Sequence, residues 1–216
     1  MRLDVRHNIK EVTRGLSSIQ KKQIPFASML ALNDTAFALH RAYKKQTVQK
    51  FDNATPFTQK GFRVKKAKKT DLEAVVFVAE NREDYMQLQV DGGVRVPKSQ
   101  AIVIPNDRNA TEIQRYPSGN IKKGAYTKIK SMKDKYFFGV PKGNQGTEGI
   151  WERYGREATG TASGYRIRQV AKLTKFGRYE ALFPFESIGN GVAFSRKNGF
   201  DSNFAKRLRK ALDTAR

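Results

Sequence analysis

Cysteine is absent from the 216 residues. Disulfides, thiolate metal sites and a cysteine nucleophile are therefore excluded, and a reducing compartment fits without being required. Histidine is scarce, with only His7 and His40. A zinc site would need carboxylates at spacings the chain does not show. Neither His-Glu-x-x-His nor Gly-x-Ser-x-Gly occurs. No apolar run approaches the ~18 residues that cross a bilayer. The segment Met1-Arg-Leu-Asp-Val-Arg-His7 lacks the apolar core of a signal peptide. A soluble protein made in the cytoplasm, with no membrane partner, is the expectation. Acidic residues are also in deficit, 20 Asp and Glu against 42 Lys and Arg, for a net charge of +22.

Such a field favours polyanions or acidic protein surfaces. Basic residues occur in every quarter of the chain, with dense clusters at Lys65-Lys66-Ala67-Lys68-Lys69 and between Lys122 and Lys142. Each cluster alone reads as a solvated face or hairpin tip. Taken with the chain-wide excess, Lys65, Lys66, Lys68, Lys69, Lys122, Lys123, Lys128 and Lys130 are the candidate contacts to DNA or to an acidic partner. No helix-turn-helix, zinc-finger or RRM signature is present, so any DNA contact would be to the backbone and insensitive to sequence. Trp151 and Tyr154, beside Arg153 and Arg156, have the composition of a base-stacking platform, although core packing explains them equally. The loop Gly139-Val-Pro-Lys-Gly-Asn-Gln-Gly-Thr-Glu-Gly149 fits neither a P-loop nor a dinucleotide fingerprint and reads as a hairpin loop. Asp71 and Glu73, two apart on a strand, share a face and would hold Mg²⁺ only with a third ligand. No catalytic, cofactor or metal site is expected, and no small-molecule substrate.

The strongest local pattern is helical. Met29, Leu32, Ala36, Leu39 and Tyr43 recur at three- and four-residue steps and form one face of a helix starting at Pro25, widened by Leu30 and Phe37. Pro25 suits a first helical position. Ala27, Ala31, Ala38 and Ala42 offer a small-residue surface for another helix. The plain reading is a helix covering a sheet; the sharper one is a helix that also packs on neighbouring copies. A preceding helix is predicted over Asn8–Gln20. Strands are predicted at Phe62–Val64, Leu72–Val78, Ala101–Pro105, Tyr136–Val140, Gly149–Tyr154, Tyr165–Lys175 and Tyr179–Phe183, with a short helix over Asp84–Val90 ended by Gly92. Tyr165, Ile167, Gln169, Ala171 and Leu173 should share one strand face, opposite Arg166, Arg168 and Lys172. The expected fold is α+β: N-terminal helices and a C-terminal helix packed on a central, mostly antiparallel sheet. It is read as one domain over 1–216, helical to residue 50 and sheet-rich over 58–183. A basic helix is inserted at about 121–132, and the terminal helix covers about 202–214, capped by Asp201 or Ser202.

The succession Ala31-Leu-Asn-Asp-Thr-Ala36, Phe51-Asp, Thr55-Pro-Phe-Thr58 and Phe62-Arg-Val-Lys-Lys-Ala67 resembles the phage minor tail protein Z family, also described as tail completion proteins. The similarity continues through Val90-Asp-Gly-Gly93, Gly119-Asn, Tyr136-Phe-Phe-Gly139, Gly149-Ile-Trp-Glu-Arg153 and Asn203-Phe-Ala-Lys-Arg207. The resemblance implies a structural virion protein without enzymatic activity. It would sit at the head–tail junction or upper tail and assemble into a ring, such as a hexamer. Portal, adaptor or tail proteins would be its neighbours, with genomic DNA passing by. The alternative is a non-sequence-specific nucleic-acid-binding protein. A nuclease using Asp71 and Glu73 is the third reading.

Overall fold

The computed structural model describes residues 2–6, 18–97, 100–106, 108, 113–142, 146–156 and 165–214. Where the sequence suggests one domain, the chain divides into two compact units. The first combines Met1–Gly92 with Glu180–Arg216 and the second is Gly93–Tyr179. The physical reason is that the buried apolar residues form two separate cores.

The first unit is organised by one 33-residue helix, α1 (Ser18–Lys50). It runs through Pro25 rather than starting there. Proline removes one backbone hydrogen bond at that turn, but Ile24 and Ala27 beside it are buried. Most of the helix predicted over Asn8–Gln20 lies outside the described residues; 18–20 belong to α1. A break at 51–55 leads to α2 (Pro56–Gln59), capped by the Thr55 hydroxyl accepting from the Thr58 amide (3.2 Å). Strands β2 (Phe62–Lys65) and β3 (Glu73–Val78) pair antiparallel, and β1 (Arg2–Arg6), which the sequence did not suggest, pairs with β3's other edge. The sheet order is β1-β3-β2. Helix α3 (Glu80–Asp91) follows and stops at Gly92, whose φ of 69° suits glycine.

On this sheet α1 lays Leu32, Leu39 and Tyr43 against Phe62 and Val76, with Phe183 and Phe185 completing the core. Of the strand predicted over Tyr179–Phe183, only Tyr179 lies in one, as its last residue, and 180–183 form none. The Leu182 and Phe183 amides both donate to the Gln89 carbonyl (2.7 and 2.8 Å), which leaves no ladder to build. An unpredicted helix, α5 (Phe185–Ala193), comes next. Gly189 and Gly191 mask it in the sequence, since each weakens helix propensity by about 1 kcal/mol, yet burial of Phe185 fixes it. The last helix, α6 (Phe200–Thr214), matches the C-terminal prediction with a slightly earlier start and packs extensively along α1.

The second unit carries a four-stranded antiparallel sheet in the order β5-β8-β7-β6: β5 (Ile102–Pro105), β6 (Tyr136–Gly139), β7 (Gly149–Arg156) and β8 (Tyr165–Thr174). A two-stranded ribbon pairs β4 (Gly93–Arg95) with β9 (Gly177–Tyr179). Helix α4 (Ala125–Ser131) covers one sheet face, placing Ala125 and Ile129 over Tyr136, Ile150 and Ala171. It is shorter than the 121–132 prediction because Gly124 is left-handed (φ 85°) and Ile121 bridges to Arg115 instead. The predicted alternation in β8 is interrupted. Ile150 pairs with Ala171 but Trp151 with Gln169, so Val170 is an extra residue and both Val170 and Ala171 are buried. The α+β class holds, with every strand pairing antiparallel among the described residues, distributed over three sheets.

Candidate functional site

Three consecutive polar residues of α1 each hold a different neighbour. The Asn33 amide clamps the backbone of Ala67 from both sides: its Oδ1 accepts from the Ala67 N–H (2.8 Å) and its Nδ2 donates to the Ala67 carbonyl (3.2 Å). Arg207 of α6 binds Asp34 with two hydrogen bonds, Nε to Oδ2 at 2.6 Å and a second amino group to Oδ1 at 2.8 Å. The buried Thr35 hydroxyl accepts from Asn203 Nδ2 (2.9 Å). Successive helical positions lie about 100° apart, so a run of polar residues fans out to separate partners. Replacing Asn33 with alanine should strand both Ala67 backbone groups and cost about 1–3 kcal/mol, read as a lower urea midpoint at unchanged slope.

This clamp fixes the basic turn between β2 and β3. Ala67 is buried at its centre, while Lys66 lies over the Phe37 ring (5.5 Å) and Lys69 over Phe26 (4.7 Å). Lys68 closes the turn by exchanging backbone hydrogen bonds with Asp71 (2.8 and 3.1 Å). Lys65 reaches Glu73 (3.4 Å) and Asp71 (3.7 Å). Asp71 and Glu73, the pair considered for Mg²⁺, thus share a lysine partner. Among the described residues no three His, Cys, Asp or Glu side chains group as metal ligands. The turn presents fixed positive charge on aromatic supports.

Lys122, Lys123, Lys128 and Lys130 belong to the second unit. All four are exposed; Lys128 and Lys130 project from α4 while Ala125 and Ile129 bury, and Lys122 lies 5.9 Å over the Tyr116 ring. The eight candidate lysines therefore form two surfaces, one on each unit. Of the proposed packing face, Leu32, Ala36, Leu39 and Tyr43 are buried in the first unit's own core, and Met29 packs half-buried against it. The face consequently serves intramolecular packing, and Ala27 and Ala31 are fully buried as well. His40 sits half-buried on α1; His7 lies outside the described residues.

The sequence reading missed a buried carboxylate on β7. Glu152 is 3 % exposed, accepts from Arg168 Nε at 2.7 Å and pairs with Lys135 at 3.3 Å. Its hydrogen bond holds the Arg168 guanidinium above its ordinary pKa, and that guanidinium lies over Tyr154 (5.1 Å). Cross-strand pairing of an acid with a base, Glu152 opposite Arg168, was the available signal. Trp151 is buried and donates its indole N–H to the Gly139 carbonyl (3.1 Å), which removes it as a base-stacking platform. Arg153 covers Phe137 (4.7 Å) and donates to the Lys133 and Asp134 carbonyls.

No protein-family model, curated protein or solved structure matches the chain. Among the described residues no helix is long and apolar enough to cross a membrane.

Proposed function

We propose that this chain is a structural protein of a bacteriophage virion, a tail completion or neck component that assembles as a ring and joins head to tail. It works by geometry, without catalysis. Fixed elements dock on portal, adaptor or tail proteins, and lysine-rich surfaces neutralise acidic partner surfaces or passing DNA. One observation carries the reading: segments that form the family resemblance are physically interlocked. Asn33 of Ala31–Ala36 holds Ala67, and Asp34 and Thr35 hold Arg207 and Asn203. The Phe57 carbonyl of Thr55–Thr58 accepts from buried Arg82 (2.8 Å), whose guanidinium lies 3.8 Å over the Phe57 ring. Motifs weak alone, Ala31–Ala36, Phe62–Ala67 and Asn203–Arg207, thus meet within the first unit.

Mass spectrometry of purified virions with chemical crosslinking tests the proposal. The expected result is this chain at a fixed low copy number, crosslinked through Lys65–Lys69 or Lys122–Lys130 to portal, adaptor or tail subunits. Absence from virions would overturn it. Salt-sensitive DNA binding by the free chain would then favour the nucleic-acid reading, for which the exposed lysines of α4 are the specific support.

A further inference from the structure

Strand β6 ends its sheet, and its backbone shows which groups that edge leaves open. The register places Tyr136, Phe137, Phe138 and Gly139 opposite Glu152, Trp151, Ile150 and Gly149. Just below the strand, the Arg153 amide donates to the Lys135 carbonyl at 2.8 Å. Bonded and non-bonded pairs alternate in an antiparallel ladder. Phe137 and Gly139 therefore bond to β7, whereas Tyr136 and Phe138 direct their N–H and C=O groups away from it. Tyr136 fits this assignment, since its N–H turns back to the Met132 carbonyl (2.9 Å). Among the described residues nothing receives the N–H of Phe138. The opposite edge is treated differently: β5 ends in Pro105, which has no N–H, and the next amide, Asn106, donates to the Val170 carbonyl (2.8 Å).

The open edge is also apolar. Phe138 is 45 % exposed and Val140, just beyond the strand, 52 % exposed. An unprotected apolar edge is a template for another strand. We propose that β6 is a docking edge for an extended, acidic segment of another protein, which adds as a fifth strand beside Phe138.

Charge selects that occupant. Exposed Lys128, Lys130 and Lys133 lead into the strand and Lys142 follows it, against exposed Asp134 and Glu148. Glu152 is already held by Arg168 and Lys135. Gly93–Tyr179 holds 18 Lys and Arg against 6 Asp and Glu, a net +12. A second copy paired edge to edge would bring like charges together. A nucleic acid would meet the lysines but has no peptide ladder for the N–H and C=O of Phe138. An acidic strand uses all three features: main-chain groups on Phe138, alternate apolar side chains on Phe138 and Val140, and carboxylates on the lysines. The inference does not depend on the virion reading.

The test uses the full chain and a fluorescein-labelled peptide alternating glutamate and valine, followed by fluorescence anisotropy at low salt. Saturable binding is expected, with no binding of a peptide carrying lysine in place of glutamate. Phe138→Pro removes an outward N–H and leaves the bonds to β7 intact, so binding should weaken about tenfold. In the unmutated chain, hydrogen exchange at the Phe138 amide should slow when peptide is added, a readout that survives if the proline variant misfolds. Equal binding of a proline-interrupted glutamate–valine peptide would overturn the proposal, because charge alone would then suffice. So would displacement of the peptide by a single-stranded oligonucleotide with Phe138 exchange unchanged throughout. Protection of Phe138 that grows with protein concentration in the absence of peptide would instead assign the edge to a second copy.

Discussion

Tyr43→Ala is expected to destabilise the first unit by about 3–5 kcal/mol. The ring is fully buried and stacks on Phe62 (centroids 4.8 Å) and Phe185 (4.5 Å), with Phe183 tilted at 6.0 Å. Its hydroxyl donates to the Phe185 carbonyl (3.1 Å), tying α1 to the start of α5. Removing the ring leaves a cavity between Phe62, Phe183 and Phe185 that these neighbours cannot fully close. Urea unfolding followed by far-UV circular dichroism, where α1 contributes strongly, should show the loss; a change below about 1 kcal/mol would refute this account of the core. Tyr43→Phe keeps the packing and should cost about 1 kcal/mol, the net value of one hydrogen bond. That variant also isolates a pH effect. Burial, and secondarily the charge of Glu186, push the Tyr43 phenol well above its ordinary 10.0. A raised folded-state pKa means the stabilising contribution is complete below the unfolded value and is lost as pH climbs towards the folded one. Stability should accordingly fall above pH 10.0 in the wild type and fall less steeply in Tyr43→Phe.

Gly149→Ala should damage the second unit by about 1–3 kcal/mol, towards the upper end. A Cβ at Gly149 would lie 2.6 Å from the Ala171 carbonyl oxygen, 2.8 Å from Gln169 Nε2 and 3.2 Å from Trp151 Nε1. The nearest of these is backbone in the sheet's central ladder, which cannot yield without breaking the β7–β8 pairing. Trp151, the chain's single tryptophan, is buried next to the change and reports it by fluorescence. Gly191→Ala in α5 is the control. Nothing lies within 4 Å of its added Cβ, so alanine should stabilise by about 0.4–1 kcal/mol through the unfolded chain.

What the sequence revealed followed periodicity. The α1 stripe, the Phe62–Lys65 and Glu73–Val78 strands, the Tyr136–Gly139 and Gly149–Arg156 hairpin and the terminal helix all carry regular spacing or β-branched runs. Misses have specific causes. Glycines disguised α5, and a bulge at Val170 broke a two-residue period no local rule foresees. Division into two units depends on which side chains meet across long separations, as when residues 180–216 return to α1. The basic clusters were legible as charge; their supports were not. Asn33 holding Ala67 and Glu152 holding Arg168 are partnerships of tertiary geometry. The open N–H of Phe138 could only emerge once the hairpin register was known.

The buried positions of α1, from Ile24 through Ala27, Ala31, Thr35, Leu39 and Tyr43 to Thr47, recur every three or four residues over about 35 Å, so the buried stripe winds slowly around the helix and each partner is met at its own rotational setting. Length changes should therefore be filtered sharply along the gene. A single codon inserted between Leu32 and Asn33 would turn everything on one side of it by about 100° relative to the other, so that Ala67, Arg207 and Asn203 could not all keep their partners while Ile24 and Ala27 stay inside. The same codon placed among residues 51–55, where the helix has already ended, would only lengthen a connection, at a cost that grows slowly with length.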